Sequence, residues 1–522
     1  SARCETACCH IGTLQVRRRS ELTVGIFRRF SSVRTLEVFG CQASWIPRLA
    51  AVLALLPNLT WLFLHQPRDP TTDAPSIASG GLLTDTAVES LAGALHARAC
   101  PHLRQLALDE RLSDDRARLL AASLPPHAAL LLGVAQAHAP VLASALARGA
   151  CANAAFSDGT SALAHAAIHP SPELARALLA HGAVVNAAGP DGATPLIVAC
   201  NRGHEPTVCL LLDARADVNA RTLHGTSALH TATYKGHVTV VMRLLGASAD
   251  VAATCADGMT PLAMAARADR PEIARLLLNA GADAGGIARD GGTPLLAAAY
   301  KGHVQVVRVL LEHRAEVNSC RSDGLTALCQ ASKAGHIGAV QLLLQVGADV
   351  EAAGTQYGTT SLLMAAKAGH AGVVQLLLDA GADTRVAGRA YGTTSLIAAA
   401  QLGHVEVVQR LLAARADPHQ TTHDGSTARQ LTERALTALR EAPHGNGKAT
   451  AEGEPPPPAE RGGPPSAAGG TDTALAAVTA SLAALSAAAT GSSAPAIDGL
   501  PLATWLQKVI HMLEAAERLP KR

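Results

Sequence analysis

Aromatic side chains, long apolar runs and an excess of one charge are all missing from this sequence. Phe, Trp and Tyr make up 2% of 522 residues, and 44 Lys and Arg face 42 Asp and Glu. Balanced charge excludes strong bulk attraction to nucleic acid or to a membrane surface. The most apolar stretch, residues 474–490, is short and consists mostly of Ala, Ser and Thr, which makes it a poor membrane span.

Enzyme signatures are also missing. The sequence contains no phosphate-binding G-x-x-x-x-G-K-[ST], no dinucleotide-binding G-x-G-x-x-G after a strand, no H-E-x-x-H and no G-x-S-x-G. We therefore expect no catalytic activity, no cofactor and no small-molecule substrate.

The 11 cysteines are scattered, and several fall in core positions of the repeats described below (Cys200, Cys209, Cys329). This distribution is typical of reduced thiols and predicts an intracellular protein, with the cytoplasm favoured over the nucleus. Near the start, Cys4, Cys8, Cys9 and His10 could be metal ligands. Because no second ligand pair follows at zinc-site spacing, we expect residues 1–30 to be a disordered or truncated end without metal.

Between residues 158 and 424 a 33-residue pattern occurs eight times, with two steps of 34 residues. A period this regular predicts a stacked-repeat solenoid. A glycine opens each copy, where a turn needs positive φ: Gly159, Gly192, Gly225, Gly258, Gly291, Gly324, Gly358 and Gly392. A Ser or Thr suited to N-capping comes two residues later, then an invariant Leu, and a second glycine suited to end the helix in most copies.

These copies resemble the ankyrin repeat, whose pattern is D-G-x-T-P-L-H-x-A-A-x-x-G-H-x-x-x-V-x-x-L-L-x-x-G-A-D-V-N. The resemblance implies a mainly α fold, an ankyrin-repeat α-solenoid of helix–turn–helix units with β-hairpin fingers. The His of the T-P-L-H turn is kept only at His230. Degenerate end copies extend the array to residues 125–440.

Residues 31–124 carry a second, looser pattern. Leu36, Leu62 and Leu106 each centre a short strand signal, with helical patterns between them. The segment resembles leucine-rich repeats of the ribonuclease-inhibitor type; an ordinary small α/β cap on the array is the alternative.

The C-terminal tail is predicted to be partly disordered. Residues 441–472 are a Pro-, Gly- and Ala-rich linker in which Pro455–Pro458 favour polyproline II, as a spacer or as a ligand for an aromatic groove. An Ala-rich helix is predicted over 473–490 and an amphipathic helix over 500–518. Trp505 marks the second helix as a docking element, either for this chain's own array or for another protein.

In ankyrin repeats, partners bind the finger tips and the exposed end of the first helix, just before the inter-helix glycine. Those helix-end pairs hold six cations and no carboxylate, and all four tyrosines of the chain occupy helix-end or finger positions. Helix-dipole compensation alone could explain the cations, whereas exposed Tyr is typical of interfaces. The predicted protein-binding residues are Arg202, Tyr234, Lys235, Arg267, Tyr300, Lys301, Lys333, Tyr357, Lys367 and Tyr391.

The sequence thus predicts a non-catalytic scaffold or adaptor that binds an acidic and apolar partner protein on its concave ankyrin face. One alternative is the substrate-targeting part of a larger enzyme, such as a ubiquitin ligase or kinase, whose catalytic domain precedes Ser1. Nucleic-acid binding through the cations is the least favoured alternative, and a steep salt dependence would identify it. The regular histidines that follow the inter-helix glycines are expected to be structural, because they recur about 10 Å apart and cannot share one metal ion.

Overall fold

A computed structural model describes residues 13–16, 33–39, 45–53, 56, 58–65, 85–96, 102–108, 112–355, 357–441 and 502–518. It divides into two compact units, residues 1–256 and 257–522. The cysteine- and histidine-containing segment at residues 4–10 lies outside the described residues.

The first unit begins with a parallel sheet. Strands β1 (Thr13–Val16), β2 (Thr35–Val38), β3 (Trp61–Leu64) and β4 (Gln105–Leu108) pair in sequence order. Helices α1 (Ile46–Leu53), α2 (Asp85–His96) and α3 (Asp114–Ser123) alternate with the later strands. Strand followed by helix is the predicted order for residues 31–124. Membership of the leucine-rich repeat family stays a prediction.

Strand β1 differs from the expectation of a disordered segment over residues 1–30. Leu14 and Val16 are buried, and Leu14 is in register with Leu36 of β2. A four-residue strand is too short to show alternation in the sequence, so only its pairing with β2 reveals it.

Eight helices complete the first unit, and they form hairpins. Their bounds are α4 (Pro126–Ala135), α5 (Ala139–Ala147), α6 (Ala162–Ala166), α7 (Glu173–Ala180), α8 (Pro195–Arg202), α9 (Glu205–Asp213), α10 (Ala228–Lys235) and α11 (Val238–Gly246). The first helix of each repeat packs against the first helix of the next, and second helices pack likewise. We call these inner and outer helices.

The second unit repeats this two-layer packing. Its helices are α12 (Pro261–Arg267), α13 (Pro271–Asn279), α14 (Pro294–Lys301), α15 (Val304–Glu312), α16 (Ala327–Ala334), α17 (Ile337–Gln345), α18 (Ser361–Ala368), α19 (Ala371–Asp379), α20 (Ser395–Gln401), α21 (Val405–Ala413) and α22 (Ala428–Glu441). The invariant leucine of every copy is at most 2% exposed. Since one hairpin cannot bury that leucine alone, neighbouring repeats within each unit supply the core.

A last helix, α23 (Leu502–Glu517), packs against α22, α21 and α20. Leu506 and Ile510 form a buried cluster with Ala435 and Leu436 of α22. Arg429 adds an ion pair to Glu517 at 3.3 Å. Of the two docking modes considered for the helix around Trp505, the structure therefore shows the intramolecular one. Residues 442–501, with most of the predicted linker and the Ala-rich helix, lie outside the described residues.

Candidate functional site

Each inner helix is fixed at both ends by the residues that the repeat pattern requires. In α14 the Thr293 hydroxyl accepts a hydrogen bond from the Leu296 N–H at 3.3 Å, and Pro294 fills the first helical position. The helix stops at Gly302, whose φ of +76° is left-handed. The last two residues before the stop, Tyr300 and Lys301, therefore lie at the end of the helix and outside the core.

We call the two residues that precede the inter-helix position of each copy the inner-helix ends. The cations at these ends, Arg202, Lys235, Arg267, Lys301, Lys333 and Lys367, are all exposed. Tyr234 is 55% exposed and Tyr300 is 48% exposed. On the finger tips, Tyr357 and Tyr391 are 52% and 63% exposed. None of the four tyrosines is buried in the core, and their role in binding stays a prediction.

The structure groups the predicted site residues by unit. In the first unit, α8 and α10 pack side by side, which places Arg202 near the Tyr234–Lys235 end. In the second unit, Arg267, the Tyr300–Lys301 end, Lys333 and Lys367 lie on four successive inner helices that pack in order. Tyr357 and Tyr391 belong to the fingers and not to this row.

Two inner-helix ends have the same internal arrangement. The Lys235 ammonium lies 5.9 Å from the centroid of the Tyr234 ring, and the Lys301 ammonium lies 5.8 Å from that of Tyr300. A cation at this distance is attracted by the face of the ring. Each Tyr–Lys pair therefore presents a charge beside an exposed aromatic surface.

The histidines that follow the inter-helix glycines bind the inner-helix ends of the preceding repeat. The His336 ring donates from Nε2 to the Tyr300 carbonyl at 3.0 Å, and His370 donates to the Lys333 carbonyl at 3.1 Å. The same bond joins further pairs: His204 to Ile168, His237 to Asn201, His303 to Arg267 and His404 to Lys367. Four of these six carbonyls, those of Arg267, Tyr300, Lys333 and Lys367, belong to predicted binding residues, so the histidines hold the main chain of these residues in place.

The histidine rings also explain why the inter-helix position favours glycine. A Cβ at Gly302 would lie 2.5 Å from the His336 ring, and one at Gly203 would lie 2.5 Å from the His237 ring. No side chain fits there without displacing the imidazole. Sequence reasoning identified the histidines as structural but missed their targets, because the partners are 36 or 37 residues away and no local pattern reports that register.

A second set of hydrogen bonds joins neighbouring repeats through asparagine side chains. The side-chain oxygens of Asn153, Asn186, Asn219 and Asn318 accept hydrogen bonds from backbone N–H groups of the next repeat at 2.7–2.9 Å. The only signal in the sequence is the Asn that ends the G-A-D-V-N segment. Together with the histidines, these bonds fix the spacing of neighbouring repeats within each unit.

Charge is distributed differently over inner and outer positions. Three arginines of the outer helices have carboxylate partners: Arg243 with Glu205 at 3.0 Å, Arg275 with Glu312 at 3.1 Å and Arg410 with Glu406 at 2.7 Å. In the described part of the chain, by contrast, no ion pair is formed by Arg202, Arg267, Lys301, Lys333 or Lys367. Five inner-helix ends thus carry a positive charge that no described carboxylate pairs with, in a chain whose total charge is +2.

Three further features of the described residues concern metal binding, thiol chemistry and membranes. Among them, no group of three His, Cys, Asp or Glu side chains is arranged to hold a metal ion. Burial raises the pKa of the Cys200 thiol, which keeps this core cysteine unreactive. None of the described helices has the length and hydrophobicity needed to cross a bilayer.

The repeats match a known family. The family model described as ankyrin repeats in three copies matches residues 130–222, 220–288, 280–354 and 352–422, together more than half of the chain. Among solved structures, the ankyrin repeat domain of human ASB11 is similar, with 28% sequence identity and a TM-score of 0.40. That similarity covers 42% of this chain and 98% of the other. No curated protein matches the sequence.

Proposed function

The chain belongs to the ankyrin repeat proteins, and from this premise we propose that its inner-helix ends bind an acidic and apolar segment of a partner protein. Ankyrin repeats are protein–protein interaction modules. For this chain we infer a non-catalytic scaffold or adaptor whose Lys, Arg and Tyr side chains at the inner-helix ends are the contact residues.

The uncompensated charge of the inner-helix ends carries this proposal. Helix-dipole compensation would place cations at these ends. It does not require that five of them form no ion pair among the described residues while Arg243, Arg275 and Arg410 on the outer helices pair with glutamate. Exposed Tyr beside exposed Lys is also the composition that interfaces favour. Both observations support a partner that supplies carboxylates and apolar groups.

The histidine bonds support the proposal energetically. Because each tied helix end has its main chain fixed before any partner arrives, little backbone freedom is lost on binding. Successive inner-helix ends within a unit lie about 10 Å apart. Carboxylates two turns apart on a helix, or three residues apart on an extended segment, would match that spacing.

The test compares affinity capture by the full chain and by a variant with Tyr234→Ala, Lys235→Ala, Tyr300→Ala and Lys301→Ala. The variant removes both Tyr–Lys pairs. We expect proteins captured by the parent to be depleted at least tenfold, with an unchanged thermal unfolding midpoint.

The control variant is Arg289→Ala with Arg308→Ala, which removes the same number of positive charges from exposed positions elsewhere. It should retain the captured proteins. If the quadruple variant stays folded and captures the same proteins as the parent, the inner-helix ends are not the binding surface.

A further inference from the structure

The two fingers of the second unit that carry tyrosine differ from the others in their turn chemistry. In most copies the residue before the finger glycine is Asp. Several of these carboxylates accept a hydrogen bond from the N–H two residues on, as Asp290 does from Gly292 and Asp323 does from Leu325, both at 3.1 Å. At the same position Tyr357 precedes Gly358 and Tyr391 precedes Gly392. A tyrosine cannot make that turn bond, so these fingers have exchanged a stabilising group for an exposed ring.

The two tyrosines lie on adjacent fingers that are joined directly. The Arg389 N–H donates to the Tyr357 carbonyl at 2.8 Å, and Arg389 lies two residues before Tyr391. Arg389 is exposed and forms no ion pair with any described carboxylate. We call Tyr357, Arg389 and Tyr391 the finger aromatic patch. It consists of two exposed rings on adjacent fingers and one exposed cation that forms no ion pair with a described carboxylate.

The spacing of the patch suits one kind of ligand. Neighbouring repeats lie about 10 Å apart, and polyproline II advances about 9.3 Å per three-residue turn. A proline-rich segment lying across both fingers would therefore present a ring to each tyrosine. Extended proline segments are recognised by surface aromatics because they lose little conformational entropy on binding. Carboxylates flanking the prolines would complete the match by pairing with Arg389.

This chain contains such a segment. Pro455–Pro458 are preceded by Glu452 and Glu454 and followed by Glu460. The helix α22 begins directly after the finger next to that of Tyr391, and its 14 residues span about 21 Å to Glu441. The following residues up to Pro455 can extend over about 45 Å. The proline segment can therefore reach back to the patch.

We propose that the finger aromatic patch binds the Pro455–Pro458 segment of its own chain. Tyr357 and Tyr391 pack against successive turns of the segment, and Arg389 pairs with a flanking glutamate. This binding uses the fingers and does not depend on the inner-helix ends. An attached ligand has an effective concentration of about 1 mM, so a contact with a Kd of about 0.1 mM is roughly nine-tenths occupied within the chain.

The experiment titrates a labelled peptide of residues 452–461 into the full chain. The acceptor is the variant Pro455→Gly/Pro456→Ser/Pro457→Gly/Pro458→Ser, in which the internal competitor is removed. We expect saturable binding that is about tenfold weaker in the parent chain, whose own segment occupies the patch. Adding Tyr357→Ala and Tyr391→Ala to the acceptor should weaken binding at least tenfold. Adding Tyr300→Ala, a matched exposed tyrosine outside the fingers, should leave it unchanged.

Hydrogen exchange gives a second readout that needs no peptide. Amides of residues 388–393 should exchange more slowly in the parent than in the proline-replaced chain, independently of protein concentration. Absence of saturable binding, equal binding after loss of both tyrosines, or protection that appears only at high protein concentration would each overturn the proposal. The last result would assign the segment to a second copy.

Discussion

Inner-helix ends and outer helices come from the same hairpins, yet they differ in how charge and hydrogen bonds are arranged. Three arginines of the outer helices, Arg243, Arg275 and Arg410, pair with glutamate. Five inner-helix ends carry a cation that forms no ion pair among the described residues, and a histidine from the next repeat binds the main chain of each. Ion pairs therefore form on the outer helices, whereas the described cations of these five inner-helix ends stay available for the partner that we propose. The following predictions test this contrast.

The largest effect is expected from a methyl group placed where an inner helix ends. Gly302→Ala must adopt a φ near +76° and would place its Cβ 2.5 Å from the His336 ring. We expect a loss of about 3 kcal/mol in the free energy of unfolding, from left-handed strain and overpacking together. Gly281→Ala, after an outer helix, has a φ of +89° but nothing within 4 Å of its Cβ. It should cost only about 1 kcal/mol. Urea unfolding of both variants measures the difference, and equal losses would contradict a special role for the histidine contact.

Removing one histidine should have the next largest effect. His336→Ala deletes the hydrogen bond to the Tyr300 carbonyl, and we expect a loss of about 1 kcal/mol together with weaker partner capture. The comparison is His313→Ala, because His313 lies on the outer side, where it bonds the Asn279 side chain at 3.2 Å and the Val309 carbonyl at 3.0 Å. That variant should also cost about 1 kcal/mol but leave capture unchanged. Urea unfolding followed by capture measures both effects, and equal capture by the two variants would contradict the role of His336 at the inner-helix end.

Charge removal should separate binding from stability. Lys333→Ala with Lys367→Ala should change the free energy of unfolding by no more than about 1 kcal/mol, since each exposed cation contributes little to its helix dipole. Capture of the partner should fall and should depend more weakly on salt. On the outer helices, a double-mutant cycle on Arg275 and Glu312 should give a coupling of about 0.5 kcal/mol without any effect on capture. Loss of stability without loss of capture in the lysine variant would favour dipole compensation as its only role.

The smallest effect concerns pH. Burial lowers the pKa of His404, and the hydrogen bond that its ring donates to the Lys367 carbonyl opposes this. Because the unfolded state takes up the proton more readily, the contribution of His404 is complete above its ordinary pKa of 6.5 and declines as the pH falls below that value. Urea midpoints between pH 8 and pH 5 should decrease, and less steeply after His404→Gln. An identical slope in the variant would show that other groups determine the pH dependence.

The sequence predicts what depends on local chemistry. Positive φ at the finger glycines, caps at residues such as Thr293, and the buried leucines all follow from residue types at fixed spacing. The exposure of the four tyrosines was also predictable, because the repeat pattern makes no demand at their positions.

Long-range register was not predictable. The target of each histidine is in the preceding repeat, and the carboxylate partners of Arg243 and Arg275 are 38 and 37 residues away. The 33-residue sequence pattern does not show which side chains of neighbouring repeats are in contact. The contrast between inner-helix ends and outer helices therefore needed coordinates, as did strand β1 and the packing of α23 on α22.

The position of α23 has a consequence for how the protein is made. Leu506 and Ile510 cover α22, but the ribosome reaches them only after it has translated the intervening residues 442–501. At 5–20 residues per second, this delay lasts several seconds. During that interval Ala435 and Leu436 remain unprotected on a nascent chain whose preceding repeats can already have folded. A premature stop codon in the intervening region would make this state permanent. The exposed hydrophobic surface of α22 could then be recognised by chaperones and proteases.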